Sequence, residues 1–95
     1  MKRYVYLTKE DDGVLVSHYM MAENRLEVKE KTGTCIDNIY SLELINNVEN
    51  WLSVNGCSLI CEDGHVVFLT KNKRLRYVVS FVEFRNIVSE YRKRW

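Results

Sequence analysis

Residues 62–79, "EDGHVVFLTKNKRLRYVV", decide the fold. An acidic turn ending in Gly64 leads into an apolar run, "HVVFLT". A polar break, "KNKR", is followed by a second apolar run, "LRYVV". β-Branched and aromatic side chains fill both runs, and Asp-Gly is a strong short hairpin signal. Taking Asp63-Gly64 as a two-residue turn sets Glu62 opposite His65. "KNKR" reads as a second turn, with Asn72 tolerating positive φ. Together with "CSLIC" (57–61), the stretch predicts three antiparallel strands.

An amphipathic helix is expected next. "SFVEFRNIVSEYRKRW" (80–95) opens with Ser80 and Glu83, the spacing of a capping box. Phe84, Ile87, Val88, Tyr91 and Trp95 recur at helical intervals.

The same order of signals stands earlier in the chain. "RYVYLT" (3–8) and "VLVSHYM" (14–20) flank Asp12-Gly13. Read as a two-residue turn, this pair sets Leu7 opposite His18, Tyr6 opposite Tyr19 and Thr8 opposite Ser17. "RLEVKE" (25–30) alternates apolar and charged residues and is expected to form a third strand. Ile39, Leu42, Ile45, Val48 and Leu52 then predict a helix, with Asp37 or Ser41 as its cap and Gly56 at its end. The expected plan is one α+β domain spanning residues 1–95. Its mainly antiparallel sheet has about six strands and two helices, in the order β-β-β-α-β-β-β-α. The pattern suggests pseudo-repeat halves at 1–55 and 56–95, although the two halves share few residue identities.

These registers assign faces. In the second half Cys57, Leu59, Cys61, Val66, Phe68, Leu75, Tyr77 and Val79 fall on one side. Ser58, Ile60, Val67, Leu69, Arg76 and Val78 fall on the other. In the first half Val5, Leu7, Val14, Val16 and Met20 oppose Tyr4, Tyr6, Leu15, Tyr19 and Met21. Neither side is polar enough to be a clean solvent face. Two helices on one side would leave an apolar surface for a protein partner, most simply a second copy in a homodimer. Helices on opposite sides would leave nothing to spare. Burying ~500 Å² of such surface contributes ~12 kcal/mol before association costs of similar order.

Composition limits the function classes. The 95 residues are 46% hydrophobic and 28% charged, which is ordinary for a globular domain. No run approaches the length of a membrane span, and the N-terminus lacks the apolar stretch of a signal peptide, so a cytoplasmic chain is expected. Pro is absent, and Lys, Asn, Ile and Tyr are plentiful. That bias fits an AT-rich genome and suggests a small regulator or inhibitor from a phage or other mobile element.

The near-neutral net charge of +1 is unevenly distributed. Residues 1–70 carry six basic against eleven acidic side chains, whereas residues 71–95 carry eight against two. The cations are Lys71, Lys73, Arg74 and Arg76 on the last hairpin, with Arg85, Arg92, Lys93 and Arg94 on the last helix. A basic patch of this kind can take a nucleic-acid backbone. Tyr4, Tyr6 and Tyr19 are then the candidates for stacking unpaired bases. Alternatively, the same cations complement the helix dipole, or the charge split steers a protein partner. Acidic residues at turns (Glu10, Asp11, Asp12, Glu23, Glu62 and Asp63) offer an opposite surface, although such residues are also ordinary turn formers. Trp95, beside Arg92 and Arg94, fits an interface composition.

Motifs for chemistry are sparse. Cys57, Cys61 and His65, with Cys35, give C-x3-C-x3-H. On one strand, however, Cys57 and Cys61 stand ~13 Å apart, which is awkward for zinc and too far for a disulfide. The four glycines stand singly, so there is no phosphate-cradling loop. Ser17 and His18 point to opposite faces of a strand. The sequence therefore predicts no catalytic site, cofactor, metal or small-molecule substrate. The expectation is a non-catalytic module acting through protein contacts. The alternative is nucleic-acid binding through the basic hairpin and helix.

Overall fold

A computed structural model describes residues 1–94, so Trp95 lies outside the described residues. The chain is α+β with two antiparallel sheets. β1 (Lys2–Lys9) and β2 (Leu15–Ala22) form a hairpin, followed by α1 (Arg25–Thr32). A 3-10 turn (Ile36–Asn38) leads to β3 (Ile39–Ser41) and α2 (Leu42–Val54). β4 (Cys57–Ile60), β5 (His65–Val66), β6 (Phe68–Lys71) and β7 (Leu75–Val78) precede α3 (Phe81–Arg94). The first sheet has the order β3-β1-β2-β5 and the second β4-β6-β7. No described helix is long and apolar enough to cross a membrane.

The second half keeps the expected order except that its middle strand divides into β5 and β6, giving four strands before the helix; the first half departs further. Residues 25–32 form a helix where a strand was expected. Asn24 accepts from the Glu27 amide at 2.9 Å, Lys31 pairs with Glu27 at 3.6 Å, and Gly33 closes the end at φ 74°. Arg, Leu, Glu and Lys are good helix formers, and Asn24-x-x-Glu27 carries the same capping signal as Ser80-x-x-Glu83. The third strand of this half is instead the short Ile39–Ser41 segment, on the other side of β1. Ser41 then caps α2 by accepting from the Leu44 amide. At α3, Ser80 Oγ accepts from the Glu83 amide at 3.2 Å.

Both hairpin registers differ by one residue from the sequence-based expectation. Around Asp12-Gly13, Tyr6 faces His18 and Leu7 faces Ser17. The loop has three residues. Gly13 donates to the Glu10 carbonyl, Glu10 donates to Val14, and only Gly13 has positive φ, at 84°. This is a turn with an added left-handed residue, the usual form of a three-residue hairpin. A one-residue slip moves every β2 side chain to the other face. Leu15 and Tyr19 therefore join Val5 and Leu7, while Val16 and Met20 join Tyr4 and Tyr6.

In the second half, Leu59 faces Leu69, and Ile60 faces Phe68. The extra residue is Val67, where the strand passes from one sheet to the other. β5 pairs with β2, Val67 donates to the Leu15 carbonyl and accepts from the Val79 amide, and β6 then runs between β4 and β7. Val67 and Leu69 thus turn inward with Leu59, Cys61 and Val79, while Phe68 turns outward with Ile60 and Val78.

One core lies between the sheets. Val5, Leu7, Leu15 and Tyr40 meet Leu59, Val67, Leu69 and Val79, with Ile45, Val48 and Leu52 of α2 and Phe84 and Val88 of α3. Both sequence-predicted helices thus serve the same core. A smaller cluster of Tyr4, Ala22, Val28 and Ile39 covers the other face of the first sheet beneath α1.

Candidate functional site

The outward face of the second sheet is only partly covered among the described residues: Ile60 and Phe68 are half-buried and Val78 is exposed. Ile60, Phe68 and Val78 stand in one cross-strand row, and none belongs to or packs against either hydrophobic cluster. Val78 is 43% exposed; Leu75, 65% exposed on the same edge strand, lies with Lys71 on the opposite face. Beside the apolar row runs a polar one, Ser58–Thr70–Arg76. The Arg76 guanidinium sits 4.2 Å from the centre of the Phe68 ring, a cation–π contact that holds the charge against the apolar row.

The β6–β7 turn supplies the rest of this surface. Asn72 and Lys73 both have positive φ, 52° and 60°, and Arg74 donates to the Lys71 carbonyl at 3.0 Å. Left-handed φ at both central positions with this bond is a type I′ turn, which neither Asp-Gly pair forms; Lys71 pairs with Leu75, so Arg74 is an added third loop residue. The Asn72 amide donates to the Gly56 carbonyl at 2.8 Å, which ties the turn to the end of α2. Lys71, Lys73, Arg74 and Arg76 are all exposed, and residues 65–79 contain no acidic side chain. Among the described residues none of these four cations forms an ion pair.

The remaining predicted site residues lie elsewhere. Arg92 and Lys93 line a separate cleft with Arg25, Asp37, Tyr40, Arg85, Val88 and Ser89, about 400 Å³ in volume. Arg94 sits 5.8 Å over the Trp51 ring, against α2. The basic residues thus form two groups, and the hairpin cations are not among those lining the cleft.

The three tyrosines do not share a platform. Tyr4 is buried. Tyr6 is half-buried and stacks on His18 at 5.0 Å. Tyr19 lies on the opposite face, and its hydroxyl donates to the Cys61 carbonyl. Burial raises the Tyr19 pKa, helped by the nearby Cys61, Glu49, Asp63 and Glu62. Two turn acids serve the backbone: Asp12 accepts from Val14 and Asp63 from Tyr19.

The cysteines are dispersed. Cys35 is exposed, Cys57 half-buried and Cys61 buried. Among the described residues no group of three or more His, Cys, Asp or Glu side chains is placed to hold a metal.

Sequence reasoning missed the cleft because its parts come from distant segments: Arg25 on α1, Asp37 in the 3-10 turn, Tyr40 on β3, and Arg85 and Arg92 on α3. The one local signal is the spacing of Arg85, Ser89 and Arg92, which places them on one face of a helix. Comparison with protein-family models, with curated proteins and with solved structures returned no match to this chain.

Proposed function

We propose that the chain is a non-catalytic interaction module that docks a protein through the outward face of its β4-β6-β7 sheet. The observation that carries this reading is the outward Ile60–Phe68–Val78 row, half-buried at its first two members and exposed at the third, bordered by Arg76 and by the exposed Lys73 and Arg74 of the adjoining turn. An apolar centre with a charged rim is the composition of a protein interface. Arginine held over an aromatic ring is frequent at its energetic centre.

The rim charge selects the partner. Two copies meeting through this face would bring like charges together, which opposes association. The face suits a protein with an apolar surface edged by Asp and Glu, so an acidic partner is favoured over a homodimer. A small regulator or inhibitor acting by occupying such a surface is consistent with the chain's size.

Nucleic-acid binding is the second reading. It is favoured by the four hairpin cations that lack ion pairs among the described residues.

Capture from a cell lysate with three immobilised chains separates these readings. The Val78→Arg chain keeps the basic field and loses the apolar row. The Lys73→Gln/Arg74→Gln chain does the reverse. A protein held by the wild type and lost with Val78→Arg supports docking on the sheet. Nuclease-sensitive binding kept by Val78→Arg and lost by the double variant supports the second reading instead. Concentration-dependent dimerisation that Val78→Arg abolishes would replace the acidic partner with a second copy.

A further inference from the structure

We propose that the cleft between α3 and the segment joining α1 to β3 binds a single terminal phosphoryl group, as carried by inorganic phosphate or a small phosphate monoester. This site is independent of the sheet surface, and its residues come from other elements.

Three guanidiniums and one ammonium line a space of about 400 Å³ in which Asp37 is the only acidic wall residue among the described residues. Arg85, Val88, Ser89, Arg92 and Lys93 form one face of α3 and make one wall. Two of the lining residues, Tyr40 and Val88, are buried. The Tyr40 ring is fixed by Phe84, with centroids 5.3 Å apart.

Arg25 is pinned in place. Its Nε donates to the Ile39 carbonyl at 3.1 Å and its Nη2 to the Ile36 carbonyl at 2.6 Å. A guanidinium has five N–H donors, so several of this one's stay available. Arg85 is oriented by a 3.0 Å bond from Nη2 to Asn38 Oδ1. Arg92 has no hydrogen bond or ion pair among the described residues, and Lys93 is paired with the exposed Glu90. Three guanidiniums that face one space without carboxylate partners repel one another, and an anion placed among them removes that cost. Burial raises the Tyr40 pKa, while Arg85, Arg92 and Arg25 all act to lower it. All three charges are therefore felt at one hydroxyl.

The ligand class follows from charge and shape. Paired N–H groups on planar guanidiniums match phosphoryl oxygens. A carboxylate offers two oxygens and one charge, which is too little for three guanidiniums. A terminal phosphate monoester carries close to two charges at neutral pH and three equivalent oxygens. A nucleic-acid backbone would need cations continuing beyond the cleft, and there Asp37 would oppose the next phosphate.

Titration calorimetry at low salt provides the test, with inorganic phosphate, a nucleoside monophosphate and the matching unphosphorylated nucleoside as probes. One-to-one binding is expected for the first two and none for the third. Affinity should rise as pH increases from about 5 to 7.5, as the phosphate's second proton leaves. Arg92→Ala should weaken binding roughly tenfold or more without changing Tm, because the side chain is exposed and bonded to nothing described. Arg74→Ala, on the distant hairpin, should leave affinity unchanged. Equal affinity for the two phosphates means that only the phosphoryl group is read, and tighter nucleotide binding means that the organic part is read as well. The proposal is overturned by absence of phosphate binding at millimolar concentration, by an Arg92→Ala chain that binds like the wild type, or by nucleoside binding without phosphate.

Discussion

Ser17, fully buried on β2, donates its hydroxyl to the carbonyl of Glu62 at 2.7 Å across 45 residues of chain. The Gly64 amide in turn donates to the Ser17 carbonyl at 2.8 Å, and Asp63 accepts from the Tyr19 amide at 2.9 Å. One segment of β2 thus fastens the β4–β5 turn, and this fixes where the chain passes from one sheet to the other.

Ser17→Ala would remove this donor and leave the Glu62 carbonyl with its bond from the His65 amide. A loss of about 0.5–1.5 kcal/mol is expected from urea unfolding. A change below about 0.3 kcal/mol would mean that the turn is not held by this bond.

The type I′ turn gives a prediction of opposite sign. Lys73 adopts φ 60°, a conformation that costs a residue with Cβ about 1–2 kcal/mol. Lys73→Gly should therefore raise stability by about 1 kcal/mol, giving the preferred Asn-Gly pair. Gly56→Ala should lower it, because φ is 78° and the new Cβ would stand 2.9 Å from Asn72 Oδ1. Thermal denaturation of both variants checks the pair.

The thiols should differ in reactivity. Burial, with Glu49 nearby, pushes Cys61 up to about 12, so the thiolate that reacts is scarce at neutral pH. A disulfide-exchange reagent should modify exposed Cys35 readily and Cys61 only on unfolding. Rapid labelling of all three thiols in the native chain would contradict the burial of Cys61.

Glu49, on α2, has its pKa raised by burial. The folded chain then holds this proton to higher pH than the unfolded chain does. The stabilising contribution is full below the ordinary glutamate value and is lost as pH rises through the raised one. Glu49→Gln should remove that fall and make the chain more stable near pH 7. Melting temperatures from about pH 4 to 7 would show it as a flatter profile for the variant.

Much of the architecture was legible in the sequence, because hydrophobic period and capping residues are local signals. The Ser80 and Ser41 caps, the helical stripe of Phe84 and Val88, and positive φ at Asn72 all follow from neighbouring residues. Registers were harder to read. Asp-Gly fits a two-residue or a three-residue loop, and the choice at Gly13 inverts the faces of β2. "RLEVKE" alternates like a strand, yet Val28 is the one buried residue of α1, so its apolar pattern was too thin to tell helix from strand. The handover at Val67 depends on β2, about fifty residues earlier, and no local pattern records it. The sheet surface was legible as a surplus of apolar side chains but with Phe68 and Leu69 exchanged. The phosphoryl cleft, assembled from three distant segments, was not legible.

The outward placement of Ile60, Phe68 and Val78 is the claim on which docking depends, and carbene footprinting of the isolated chain at low concentration reads it side chain by side chain. Strong labelling of exposed Val78 and intermediate labelling of Phe68, with protection of Leu59 and Leu69, is the expected pattern. Labelled Leu69 with protected Phe68 would place the other face of this sheet in solvent and remove the proposed docking surface.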